Sequence, residues 1–133
     1  MDSNSTSDPS PARLISAAAE LAPLIRAEAA AGEEARSVPS VVIDAIRDAG
    51  LFRLAQPKRF GGLECDHPTI LRCLMQWSPA DASTAWVAGL AIMPQWMIAL
   101  FPPQAQEDIW NENPNAITFG SYAPAGKGAA VKG

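Results

Sequence analysis

Charge is scarce in this chain of 133 residues: 18% of them are charged, and the formal net charge is -4. No Lys or Arg occurs between Arg72 and Lys127. A nucleic-acid site needs a basic patch, so that class is excluded, and the C-terminal half has nothing to grip a phosphate backbone. There is one histidine, His67, and there are two cysteines, Cys65 and Cys73, eight positions apart. That spacing fits no common zinc arrangement, and two free thiols in a reducing compartment are expected. No charged-then-apolar leader opens the chain; MDSNSTSDPS is polar and acidic, and residues 1–10 read as a disordered tail.

Longer apolar runs are limited to one. Ala82 to Phe101 carries no charge and has about the length of a membrane span. Ser83, Thr84, Gly89, Pro94 and Gln95 interrupt it, and no cation flanks it closely. A helix buried on most sides of a globular protein has the same signature, so no membrane partner and a cytoplasmic location are expected. Catalytic signatures are missing as well. There is no phosphate loop and no GxGxxG fingerprint, and Gly126-Lys127-Gly128 has no helix to open. His67 precedes Pro68 at an expected helix start and lacks the partners of a catalytic set, so it reads as a surface or capping residue. Glu33-Glu34 and Glu107-Asp108 point roughly 100° apart on a helix and make no acid–base pair.

What is present is helical. Ser10-Pro11 is a good start, and Leu14, Ile15, Ala18, Leu21, Ala22 and Ile25 form an apolar stripe. Pro23 is expected to interrupt this helix and Gly32 to end it. A second helix opens near Ser37-Val38-Pro39, with Val41, Val42, Ala45, Ile46 and Ala49 as its stripe and Gly50 as a left-handed stop. Leu51, Phe52 and Leu54 must then find cover. Asp66 can cap a third helix, whose expected face is Ile70, Leu71, Leu74 and Trp77, and which Ser78-Pro79 ends. Asp81 or Ser83 starts a fourth. On it Trp86, Leu90, Met93, Met97 and Leu100 recur at steps of four and three, with Pro94 as a bend. Gln104 to Asn111 makes a short helix after Pro102-Pro103. The four tryptophans, Trp77, Trp86, Trp96 and Trp110, are expected in the core, with a pocket wall for a flat ligand as the alternative.

The texture then changes. Residues 117–122 read as a strand and 129–131 as the start of another. Two strands alone make no stable sheet, so the chain is expected to be the front of a longer protein. Its parts are then the tail, a helical domain over 11–115, and an incomplete β-domain from 116 to 133.

One joint in this helical chain is unusual: RLAQPKRFGGLE, residues 53 to 64. Gln56-Pro57 forces an extended backbone, Gly61-Gly62 permits angles that other residues avoid, and Phe60 packs down while Lys58 and Arg59 stay wet. Gly50-Leu51, then Pro57, then Phe60-Gly61-Gly62 after a helical hairpin, with DASTAW beyond, resembles the N-terminal domain of the acyl-CoA dehydrogenase superfamily. The later part is most similar to its two-component flavin monooxygenases, on Asp81 to Trp86, Ala99-Leu100-Phe101, Gln104-Ala105-Gln106, Ile109-Trp110 and Gly120 to Gly126. The dehydrogenase branch has Thr-Glu-Pro and then Gly-Ser-Asp in that strand; here Ser121-Tyr122 and Lys127-Gly128 stand instead. Some aromatic-ring hydroxylases carry His-Pro-Trp near Trp96. Here Met93-Pro94-Gln95 precede it, which counts against phenol hydroxylation.

The resemblance implies a mainly α fold with the first strand or strands of a middle β-barrel at its end, and a C-terminal helical bundle beyond. It implies FAD or FMN between barrel and bundle, a small-molecule substrate, a separate flavin reductase, and a homo-oligomer, a tetramer in the family. By position, Phe119, Ser121 and Tyr122 lie on the strand that approaches flavin, with Ser121 able to donate a hydrogen bond to the ring. Trp86 and Trp96 are candidate walls of the substrate pocket. No residue matches the glutamate that removes the α-proton in dehydrogenases. The rival functions are an acyl-CoA dehydrogenase using FAD and a non-catalytic helical interaction module.

Overall fold

The computed structural model describes residues 9–120, 123 and 126–130. The expected tail lies outside them up to residue 8, as do Ser121, Tyr122, Pro124, Ala125 and the last three residues. Among the described residues five α-helices follow one another: α1 (Pro11–Ala35), α2 (Ser40–Asp48), α3 (His67–Trp77), α4 (Ala82–Ile98) and α5 (Pro103–Trp110). Two short 3-10 turns, Leu51–Arg53 and Lys58–Phe60, lie in the joint between α2 and α3. The fold is mainly α, as the resemblance implied. The described parts of the two expected strands, 117–120 and 129–130, carry no ladder pairing.

The caps anticipated from side-chain chemistry are in place. Ser10 Oγ accepts from the Arg13 amide, and Asp66 Oδ1 accepts from the Thr69 amide at 2.9 Å. Asp81 accepts from the Ser83 and Thr84 amides at 3.3 and 2.8 Å. Each satisfies amides that have no partner within their own helix. Gly50 follows α2 at φ 72°, the left-handed stop expected of it.

Other expectations need correction. Pro23 does not interrupt α1, which runs on for twelve further residues to Ala35. Gly32 does not end it either. The left-handed cap is Arg36, at φ 53°, and the Ser37 amide reaches back to the Gly32 carbonyl at 3.2 Å. Gly32 serves instead as a point of close approach, since a Cβ there would stand 3.2 Å from the Pro39 ring. Val41 and Ala49 turn out to water, and only Val42 and Ile46 of α2 are buried. On α3 it is Leu71 that is exposed, while Cys73 takes a core place beside Ile70 and Trp77.

The core lies where α1 packs along α3, with α2 and α4 closing its flanks. Trp77 is its largest member, fully buried, with its indole N–H donated to the Ala18 carbonyl at 2.8 Å. That bond removes the cost of burying the polar end of the ring. Leu51, Phe52 and Leu54 have found the cover they needed.

Candidate functional site

Two surfaces collect the residues singled out above, and the joint positions both. The joint folds back on itself: the Leu63, Glu64 and Cys65 amides donate to the carbonyls of Arg53, Gln56 and Leu54. Gly61 sits at φ 81°. A Cβ on Gly62 would stand 2.0 Å from the Gln56 carbonyl oxygen, so only glycine fits. Side chains lock the loop. Arg53 Nε donates to Gln56 Oε1 and Arg53 Nη2 to the Phe60 carbonyl, both at 2.9 Å. Gln56, almost fully buried, donates to the Pro114 carbonyl at 2.7 Å and so ties the joint to the turn after α5. Phe60 packs against the buried Trp110, their centroids 5.3 Å apart, while Lys58 and Arg59 stay exposed.

Beside the joint lies a cleft of about 630 Å³. Its walls include Arg59 and His67 on one side and Trp96, Leu100 and Phe101 on the other. His67 meets the Trp96 ring edge-on, with centroids 4.9 Å apart. Arg59 lies 4.6 Å over Phe60 and donates to Gln106 Oε1 at 2.7 Å. Gln106 in turn donates to the Ala99 and Phe101 carbonyls, which closes the end of α4. Asp66 is held below the usual carboxylate range, first by its hydrogen bond to Thr69. Cys65 lines the cleft, but the neighbouring Cys73 does not. Burial, helped by Cys65, pushes the Cys73 thiol up to about 11, so it is no nucleophile at neutral pH.

The second surface is the outer face of α4. Trp86, Leu90, Met93, Met97 and Leu100 do share one helical face, but all of them except Met93, which is partly buried against the core, are exposed on it. Trp86 is 70% exposed and Leu100 69%. The inner face, roughly 180° round the helix, is built from Thr84, Ala85, Ala88, Ala91, Ile92 and Gln95. Small side chains let α4 sit close on α3: a Cβ on Gly89 would lie 3.4 Å from Leu74. Trp86 is therefore no core residue, and Trp77 and Trp110 alone of the four tryptophans are.

The structure does not bring the two candidate pocket tryptophans together. Trp96, 44% exposed, belongs to the cleft; Trp86 is about 15 Å further up the helix by its rise per residue. Phe119 is 68% exposed, on a segment that passes close to α4, where a Cβ on Gly120 would lie 3.9 Å from the Pro94 ring. Ser121 and Tyr122 fall outside the described residues. Arg53, Gln56, Gln95 and Gln106 escaped sequence reasoning. Gln56, Gln95 and Gln106 have partners 58, 43 and 47 positions away, Arg53 has its partners within the loop, and no local sequence pattern marks either kind of pairing.

Residues 16–112 match the family described as acyl-CoA dehydrogenase, N-terminal domain. The chain belongs to this acyl-CoA dehydrogenase family. Within it, the chain is 43% identical over 121 residues to the oxygenase component of an FADH(2)-dependent resorcinol hydroxylase from Rhizobium sp. (strain MTP-10005), covering 91% of this chain and 30% of that one. Among solved structures, the HsaA monooxygenase of M. tuberculosis superposes with a TM-score of 0.88 at 35% identity, over 94% of this chain and 33% of that one. XiaF from Streptomyces sp., solved in complex with FADH2 and glycerol, gives a TM-score of 0.75 at 27% identity, over 80% of this chain and 27% of that one. The acyl-CoA dehydrogenase-type chain thus spans about 30% of the length of the curated relative and the solved HsaA structure. Among its described residues no helix is long and apolar enough to cross a membrane.

Proposed function

We propose that this chain is the N-terminal helical part of the oxygenase component of a flavin-dependent monooxygenase, and that the outer face of α4 is one wall of its substrate pocket. The observation that carries this is the placement of Trp86, Leu90, Met97 and Leu100 outside, over an inner face of alanines. Turning bulky apolar side chains to water is costly unless another surface covers them. The names of the relatives support the activity, and the word resorcinol in one of them supports a small hydroxylated ring as substrate, against the expectation drawn from the residues before Trp96. Reduced FAD is favoured over FMN, because FADH2 is named in that relative and in the XiaF complex.

Phe119 offers an exposed ring beside α4 to one side of a flavin, and Ser121 and Tyr122, next but one and next but two in sequence and outside the described residues, are proposed to meet the same ring. No Lys or Arg lies between Arg72 and Lys127, so α4 and α5 offer no cation to a pyrophosphate. When bound, reduced flavin supplies the electrons that activate oxygen. The chain's own residues orient the ring of the substrate and exclude water from one side of it: Trp86 and Met97 by apolar contact, Phe119 from across the gap. A separate flavin reductase supplies the reduced cofactor, in keeping with relatives named as oxygenase components. The working form is a cytoplasmic homo-oligomer, a tetramer on the family pattern.

The test is a chimera in which this chain replaces the matching segment of the Rhizobium resorcinol hydroxylase. Given reduced FAD and oxygen, it is expected to hydroxylate an aromatic substrate. Trp86→Ala in the chimera is expected to raise KM by about tenfold, the scale of one lost aromatic contact. A folded, active chimera whose KM ignores Trp86→Ala removes this face from the pocket. A chimera that oxidises an acyl thioester instead rejects the monooxygenase assignment.

A further inference from the structure

Leu100 belongs to both surfaces: it continues the outer face of α4, and it lines the cleft beside the joint. It stands past Ile98, the last residue of the helix, so regular helical bonding does not hold it. Its amide reaches the Met97 carbonyl at 3.1 Å, and the Phe101 amide reaches Ile98 at 2.9 Å. The carbonyls of the residues before and after it, Ala99 and Phe101, both accept from one atom, Gln106 Nε2, at 3.0 and 2.7 Å. Carbonyls beyond a helix end have no partner within the helix, and here a single buried side chain of α5 serves two of them. Both N–H groups of that amide are then spent. An amide turned over would set its oxygen against two carbonyls. Arg59 decides its direction: Nη2 donates to Gln106 Oε1 at 2.7 Å, and a guanidinium can only donate. Arg59 is itself held flat over Phe60, which packs on Trp110.

We infer that Arg59 is a positioning residue for the substrate wall, acting through Gln106 on the turn that carries Leu100. This rests on the proposed role of the α4 face and adds a determinant of specificity that touches no substrate. The joint then does more than shape a loop. Its exposed cation fixes the direction of one amide, that amide fixes two carbonyls, and those carbonyls set where the last side chain of the wall stands. Arg59 performs no chemistry and neither gains nor loses a proton.

The first test needs no ligand. In the 133-residue chain, Arg59→Met is expected to speed hydrogen exchange of the Leu100 and Phe101 amides roughly three- to tenfold, the scale of one part-exposed hydrogen bond. The amides of α1 and α3 should not change. Arg59→Lys restores a donor and should return exchange to within about twofold of wild type. Gln106→Glu still pairs with Arg59 but cannot donate to the carbonyls, so it should loosen the turn at least as much as Arg59→Met. Unchanged exchange in Arg59→Met or Gln106→Glu overturns the inference, and so does a rise shared by α1 and α3, which would mean lost stability alone. The second test uses the resorcinol hydroxylase chimera. Arg59→Met is expected to raise KM roughly three- to tenfold with kcat within about twofold, and to add nothing in a Leu100→Ala background. An equal rise in both backgrounds overturns the inference. If Leu100→Ala raises KM and Arg59→Met does not, the inference falls and the wall stands. If Leu100→Ala leaves KM unchanged, the wall reading falls and takes the inference with it.

Discussion

In the joint, from Gly50 to Asp66, unusual residues meet their partners inside the chain: Arg53 with Gln56 and Phe60, Gln56 with Pro114, Gly62 with the Gln56 carbonyl. On α4 the reverse holds. Both of its tryptophans point outward, and its buried side is built mostly from small residues with Ile92 and Gln95 among them. The two regions lie side by side, linked by Gln95, which donates to the Phe52 carbonyl at 2.7 Å. A region whose special residues are all used internally is there for its shape. A region whose bulk is left uncovered is there for what it meets.

The sharpest way to break that contrast is Gly62→Ala. The added methyl would collide with backbone, not with a movable side chain, and the Glu64 amide bond to Gln56 would be lost with it. A loss of about 3 kcal/mol in urea unfolding is expected; a loss under half of that would mean the joint is looser than its hydrogen bonds imply. Asp81→Ala, at the start of α4, is expected to cost about 1 kcal/mol at neutral pH. Its pH dependence has a definite sign. The hydrogen bond with Thr84 lowers the Asp81 pKa in the folded chain, so its contribution is present above the unfolded value and lost as pH falls through the folded one. The gap between wild type and Asp81→Ala should therefore close below pH of about 4 in acid titrations followed by circular dichroism. A gap that widened in acid would reverse the assignment. The smallest effect is expected on the other side of the contrast. Trp86→Ala should change unfolding stability by no more than about 0.5 kcal/mol, while reducing the water-exposed component of tryptophan emission to what Trp96 contributes. A loss of several kcal/mol would make Trp86 a core residue after all.

The helix boundaries were legible where a short side chain must serve a helix end. Asp66 and Asp81 announce their helices because nothing else nearby supplies an acceptor for the first amides. Gly50 announced a stop for a similar reason of backbone freedom. Gly32 looked like the same signal and was not, because a glycine can equally mark the place where another segment passes close. The outer face of α4 was legible as a face but not as outer. Every residue from Ala82 to Ile98 is uncharged, so periodicity had no polar side to mark as solvent, and a tryptophan weighs the same in either direction. Val41 and Leu71 misled for a related reason: a stripe on a short helix is wider than the groove it packs into. The cleft was not legible at all. It is made where Arg59 meets Gln106 and His67 meets Trp96, pairs separated by 47 and 29 positions.

The alanine-lined inner side of α4 has a mechanical consequence. Knobs that lock one helix against another must be large, and apart from Ile92 this surface offers almost none. What ties α4 lengthwise is a pair of polar pins instead: Gln95 in its middle, donating to the Phe52 carbonyl, and Gln106 of α5 reaching back to the carbonyls just past its end. A smooth bearing held by two pins can be shifted lengthwise by releasing one of them, whereas an interdigitated helix would have to be pulled apart first.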